Sequence, residues 1–134
     1  MDAAELAGLD LVADLNAADR DRVAAAAERR SFAAGQEILR EGEVGDAFYL
    51  ILSGRVAVSR AGASLATLHE GTFFGELGAL DAGPGYAMAR AATVRAESDV
   101  EAAVIPGERL TPLLVTMPAL RSRIYDTLEQ RSPD

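Results

Sequence analysis

The sequence contains no cysteine and only one histidine, all of its basic residues are arginine, and it has no apolar run of membrane-spanning length. Each of these absences removes a class of function. Without Cys there is no disulfide scaffold, no thiolate metal site and no thiol nucleophile. With His69 as the only imidazole and no Cys, a metal centre is not expected, which argues against a cupin-like metalloenzyme on a β architecture. No stretch approaches the ~20 apolar residues that cross a bilayer, so no membrane role is expected. The opening Met1-Asp2-Ala3-Ala4-Glu5 lacks the basic flank of a signal peptide, and a cytoplasmic location is expected. Positive charge is scarce: 13 basic residues stand against 21 acidic ones, a net charge of −8 with a pI near 4.6. Nucleic-acid binding by this chain alone is therefore not expected, because such binding depends on neutralising phosphates.

What is present fits one compact domain spanning 1–134. The 134 residues are 49% hydrophobic and 25% charged, enough for a core and unlike a disordered chain. Ala makes up about a fifth of the sequence. A GC-rich genome accounts for both the Ala content and the Arg-only usage. Ala runs such as Ala24 to Ala27 are thus weak support for helix, and an Arg is not special merely for being Arg.

Residues 1–30 read as helical. Asn16 is a good N-cap with Asp19 in the acidic first turn, and Val23, Ala24 and Ala27 share a face. The segment from Leu6 to Leu15 reads as a short helix or turn packing on the rest. From Ser31 onward glycines recur between short runs of strand-forming residues, which predicts a β-roll over 31–105. Phe48 to Leu52 and Arg55 to Ser59 read as two strands of a tight hairpin around Ser53-Gly54. Ala61-Gly62 marks the next turn, followed by a strand at Leu65 to Leu68. Ala91 to Ala96 and Val100 to Ile105 supply two more strands around Glu97-Ser98-Asp99. C-terminal helices are expected over 106–131, the first with Thr111 as N-cap and Pro112 at its first position, the second starting at Pro118. On the second, Met117, Leu120, Ile124 and Leu128 form a stripe that is either core or the seam of a homodimer. The fold class is mainly β with flanking helices, an antiparallel β-roll or jelly-roll-like barrel.

The chemistry-bearing stretch is Phe73 to Ala96. Phe74-Gly75-Glu76-Leu77-Gly78 sets a Gly-flanked acid before a short helix-like turn, and Arg90-Ala91-Ala92-Thr93-Val94 opens an apolar strand with a cation. No Arg occurs between Arg60 and Arg90. The layout suits an anionic ligand that carries hydroxyls. Gly75 and Gly78 let the backbone come close, and N–H groups at a helix start point at an anion. Arg90 offers a planar fork of donors to a phosphate, while Glu76 accepts from a sugar hydroxyl. The competing reading is an Arg90–Glu76 salt bridge without ligand, with the glycines serving tight turns. His69 reads as a surface residue and Tyr86 as an exposed loop aromatic.

At this point the chain resembles the cyclic nucleotide-binding domain family, shared by catabolite activator proteins, cAMP-dependent kinase regulatory subunits and cyclic-nucleotide-gated channels. The resemblance rests on Phe74-Gly75-Glu76-Leu77 with Arg90-Ala91-Ala92-Thr93-Val94. It also rests on Phe32-Ala33-Ala34-Gly35-Gln36-Glu37-Ile38-Leu39, Glu41-Gly42-Glu43-Val44-Gly45-Asp46 and Tyr49-Leu50-Ile51-Leu52-Ser53-Gly54-Arg55-Val56. These four matches stand in register. The resemblance implies that Glu76 binds the ribose 2′-hydroxyl and that Arg90 binds the cyclic phosphate, helped by amides around Leu77 and Gly78. Ala91 stands where cGMP-selective members often carry Thr, so cAMP is implied in preference to cGMP. Thr93 faces either the base or the sheet, and Tyr125 on the last helix is either a base contact or packing. One departure is the long connection 81–89, from Asp81 to Ala89, which bears on affinity more than on fold.

The implied function is a non-enzymatic, metal-free sensor that binds cAMP and switches the position of its C-terminal helix. It would act on an effector domain or protein partner, since the chain stops after Arg131 without room for a helix-turn-helix. The alternative is a degenerate member that binds no nucleotide and serves as an interaction or dimerisation module.

Overall fold

The structure, a computed structural model, describes residues 1–40, 47–75 and 92–131, with side chains through residue 126. The N-terminal segment forms two single 3-10 turns, Ala3–Glu5 and Asp10–Val12, the first closed by a capping box between Asp2 and Glu5. Helix α1 (Ala17–Ala26) starts where the sequence predicts, with Asn16 Oδ1 accepting from the Asp19 N–H at 2.8 Å. Val23, Ala24 and Ala27 are buried as a shared face requires.

Eight strands follow among the described residues: β1 (Glu28–Phe32), β2 (Glu37–Leu39), β3 (Phe48–Ser53), β4 (Arg55–Arg60), β5 (Ala63–His69), β6 (Phe73–Phe74), β7 (Thr93–Ala96) and β8 (Val100–Ile105). They form two antiparallel four-stranded sheets, ordered β1-β8-β3-β6 and β2-β7-β4-β5. The β-roll is thus present, with its first strand starting at Glu28, but the two sheets are not closed into a barrel. Helices α2 (Gly107–Thr116) and α3 (Pro118–Arg131) complete the described chain.

Two local expectations are corrected. Phe48 to Leu52 and Arg55 to Ser59 are strands, but they are not partners: β3 pairs with β8 and β6, and β4 with β5 and β7. Ser53-Gly54 is a corner between sheets. Gly54 has φ +90°, and a Cβ there would overlap the Asp99 carbonyl oxygen and come within 3.1 Å of Val100 Cα. The opposite corner, β7 to β8, therefore crosses directly beneath it, and Ser98 Oγ accepts the Arg55 N–H at 3.0 Å. The one hairpin between consecutive described strands is β4–β5. There Ala61 and Gly62 take φ of +52° and +80°, both left-handed, as a two-residue turn matched to strand twist requires. The second correction is α2, which begins at Gly107 behind an extended Pro106, so Thr111-Pro112 lies inside the helix. Pro112 has no N–H to donate to the carbonyl of Glu108, an exposed residue, while the Thr111 hydroxyl donates to the Gly107 carbonyl at 3.1 Å. Pro118 does open the last helix.

The layers follow from alternation along the strands of the first sheet. Phe48, Leu50, Phe73, Ala103 and Ile105 point to one side, into a core with Leu6, Val12, Leu15, Val23, Leu110 and Leu113 of the helical layer. Tyr49, Ile51, Phe74, Ala102 and Val104 point to the other, against Leu39, Val56, Val94 and Ala96 of the second sheet. Met117, Leu120 and Ile124 are at most 2% exposed in the helical core. The stripe is therefore core at these three positions and offers no dimer seam there; the Leu128 side chain lies outside the described residues. At the surface, Arg29 bridges Glu5 and Glu101, tying the first turn to β1 and β8.

Candidate functional site

The two ends of the candidate stretch are held by different sheets. Phe73 and Phe74 form β6, an edge strand of the first sheet, paired to Leu50 and Tyr49. Two rings on successive residues must point to opposite faces. Phe73 lies 5.2 Å from Phe48 on the helical side, and Phe74 stacks on Tyr49 at 4.8 Å, with the rings 4° from parallel, on the inter-sheet side. The strand is thereby clamped on both faces immediately before Gly75, which is half-buried with φ +81°. A left-handed backbone there strains any residue with a Cβ, so Gly is the natural occupant.

The other end is β7, an interior strand of the second sheet between β2 and β4. Val94 and Ala96 face the inter-sheet core, 3% and 1% exposed, so Thr93 and Arg95 share the opposite face. Thr93 is half-buried and stands across from Ser59 of β4. Structure thus places two of the candidate residues, Gly75 and Thr93; Glu76, Leu77, Gly78, Arg90 and Ala91 lie outside the described residues, as do Tyr86 and the 81–89 connection.

Surrounding charges narrow the assignment of the cation. Arg95, the next Arg after Arg90, stands 3.3 Å from Glu37 on the outer face of the second sheet, and Arg40 stands 3.0 Å from the same carboxylate. The hydrogen bond from Arg40, then that from Arg95, holds the Glu37 carboxyl below its ordinary range. Arg95 is thus committed to a surface pair away from the inter-sheet core. His69 is exposed on β5, and Tyr125 is partly exposed with the Arg121 guanidinium 5.5 Å above its ring. Among the described residues no three His, Asp or Glu gather as a metal site, and no helix is long and apolar enough to cross a membrane.

Sequence reasoning missed what positions these ends. Gly35, with φ +89°, turns the chain from β1 to β2, and its N–H donates to the Ala96 carbonyl at 2.7 Å, pinning the end of β7. Asp99 accepts the Ala34 N–H at 3.0 Å. The glycine at 35 was a visible signal; its partners, about sixty residues away, carried none.

Comparison with known proteins is consistent across sequence and structure. The profile of the cyclic nucleotide-binding domain matches residues 29–116. The cAMP-dependent protein kinase regulatory subunit of Yarrowia lipolytica is 34% identical over 125 residues, which is 92% of this chain and 30% of that protein. The chain spans less than a third of the length of the curated relatives it matches. Among solved structures, cAMP-bound PfPKA-R superposes with a TM-score of 0.83 at 25% identity, covering 96% of this chain and 43% of that one. The regulatory subunit of a cAMP-independent protein kinase A from Trypanosoma brucei shares the fold, with a TM-score of 0.80 at 24% identity, covering 94% and 45%.

Proposed function

This chain belongs to the cyclic nucleotide-binding domain family, and on that premise we propose that it is a single regulatory domain that binds cAMP and is not itself an enzyme. The observation that carries the proposal is the convergence of Phe74 and Val94. They come from different sheets and are twenty positions apart, yet both are 3% exposed in one apolar core. Gly75 and Thr93, which flank the candidate stretch and follow or precede these two residues, are thereby tethered at the same part of the roll.

In this reading Gly75 and Gly78 let the backbone approach the cyclic phosphate, which receives the amides around Leu77 and Gly78 and the guanidinium fork of Arg90. Glu76 accepts from the ribose 2′-hydroxyl. A phosphodiester carried toward an apolar core loses hydration, and the Arg and the amides replace it. Ala91 leaves the site without the hydroxyl that would favour cGMP, and Thr93, whose side chain shares the outer face with Arg95, marks where the strand begins. Occupancy would then shift α3, which requires the ligand to bind the two helix positions with unequal affinity. The output is an effector domain or partner protein, and a cytoplasmic setting belongs to the same proposal.

A second reading, a domain that keeps the fold without the ligand, is favoured by the long 81–89 connection. The fold shared with a regulatory subunit of a cAMP-independent kinase supports it too. Thermal unfolding with cAMP, cGMP and AMP, repeated on Arg90→Ala, separates the two. At a hundredfold excess over Kd, binding stabilises by about 2.7 kcal/mol, roughly 10 °C in a domain of this size. The first reading predicts that rise with cAMP and its loss in Arg90→Ala; no rise with any nucleotide selects the second.

A further inference from the structure

The last helix is held by two kinds of contact of very different strength. Leu120 and Ile124 are buried with Leu11, Val12 and Leu15 of the N-terminal segment, which seats α3 against that segment. Beside Ile124 stands Arg123, whose Nε and Nη2 lie 2.8 and 2.7 Å from a single carboxylate oxygen of Asp14. Asp14 sits between buried Val12 and Leu15, so its backbone is a fixed post, while both charged side chains are about half exposed. Asp10 and Asp126 add to the field around the guanidinium, and together with Asp14 they raise its hold on the proton. Arg123 also stands on the lip of a cleft of about 820 Å³ between the N-terminal turns, the Glu70–Thr72 turn and α3.

From this arrangement we infer that the Asp14–Arg123 pair is a latch that holds the C-terminal helix in the position seen here. The inference rests on the proposed switching of α3 and names the contact that regulates it. A half-exposed ion pair is weak enough for a ligand to overcome, and strong enough to change a two-state helix population two- to fivefold. It also predicts sensitivity to ionic strength, since water and salt reach both partners.

The test uses no nucleotide, so a failure of cAMP binding leaves it intact. The Cys-free chain accepts two nitroxide labels, at Ser122→Cys on α3 and Ser64→Cys on β5, both exposed positions. The distance distribution between them is measured in the parent and in Asp14→Asn, Arg123→Gln and Asp14→Glu, with a circular-dichroism melt establishing that each is folded. The latch predicts a second, two- to fivefold more populated distance in Asp14→Asn and Arg123→Gln, the same change in the parent at 1 M salt, and a parent-like distribution in Asp14→Glu. If Asp14→Asn superimposes on the parent, or Asp14→Glu departs from it as far as Asp14→Asn does, the latch is overturned.

Discussion

The two sheets of the roll are built on opposite terms. The first lies between the helical layer and its partner, and its central strands are buried on both faces: Phe48 to Ile51 and Ala102 to Ile105 are each at most 8% exposed. The second is covered on one face only, so β4 buries Val56 but leaves its ends exposed, and the edge strand β5 is exposed along almost its whole length. A β-bulge at Leu65 breaks the β4–β5 register and blunts that open edge. The candidate ligand stretch leaves the doubly packed sheet at Gly75 and returns to the singly packed one at Thr93. The difference separates a sheet packed on both faces from one whose outer face carries no core.

The sharpest way to break the comparison is to hollow the doubly packed sheet. Phe48→Ala removes a ring that is 1% exposed and stacked on Phe73, and should cost about 3–5 kcal/mol in urea unfolding. Next comes the corner where the sheets cross. Gly54→Ala forces a Cβ into the Asp99 carbonyl at positive φ, and should cost about 3 kcal/mol by the same measurement, from strain and overpacking together. A cost below about 1 kcal/mol would mean that the two corners can part.

A smaller effect is expected from pH. The Asp2 N–H and then Arg29 hold the Glu5 carboxyl below the ordinary range, Arg29 does the same for Glu101, and Arg40 and then Arg95 do so for Glu37. Their folded-state pKa values are depressed, so they stabilise the fold above the unfolded carboxylate pKa, and that stability disappears as pH falls through the folded values. Unfolding midpoints should thus decline on acidification below about pH 5, and Arg29→Gln should flatten that decline. All of these side chains are solvent-accessible, so high salt should reduce the difference. The smallest effect belongs to the open sheet: Leu65→Ala, at a position 53% exposed, should stay within about 0.5 kcal/mol of the parent. If it costs as much as Phe48→Ala, the contrast between the sheets is wrong.

Legibility in the sequence followed the same division. Features made within a few residues were readable: the Asn16 cap, the Ala61-Gly62 turn and the Pro118 start each depend on local backbone chemistry. Features made across the fold were not. Ser53-Gly54 looks like a hairpin because the flanking runs are strands, but they do not pair with each other: β3 pairs with β8 and β6, and β4 with β5 and the sequence-distant Thr93 to Ala96 of β7. Strand β1 reads as helix because Glu28-Arg29-Arg30 is a charged edge strand without alternation, defined only by pairing with Val104 to Ala102. Helix α2 reads as starting at Thr111-Pro112 because a Pro commonly opens a helix, whereas the extended Pro106 sets its start. The flanks of the candidate site, Gly75 and Thr93, were legible as motif text, and their convergence in one core required the topology.

Titration calorimetry of cAMP into the folded chain tests the central claim most directly. The account predicts saturable heat with a single site per chain, abolished in Arg90→Ala while that variant keeps the parent's circular-dichroism spectrum. No heat from cAMP or cGMP at high protein concentration, or undiminished binding in Arg90→Ala, would contradict it.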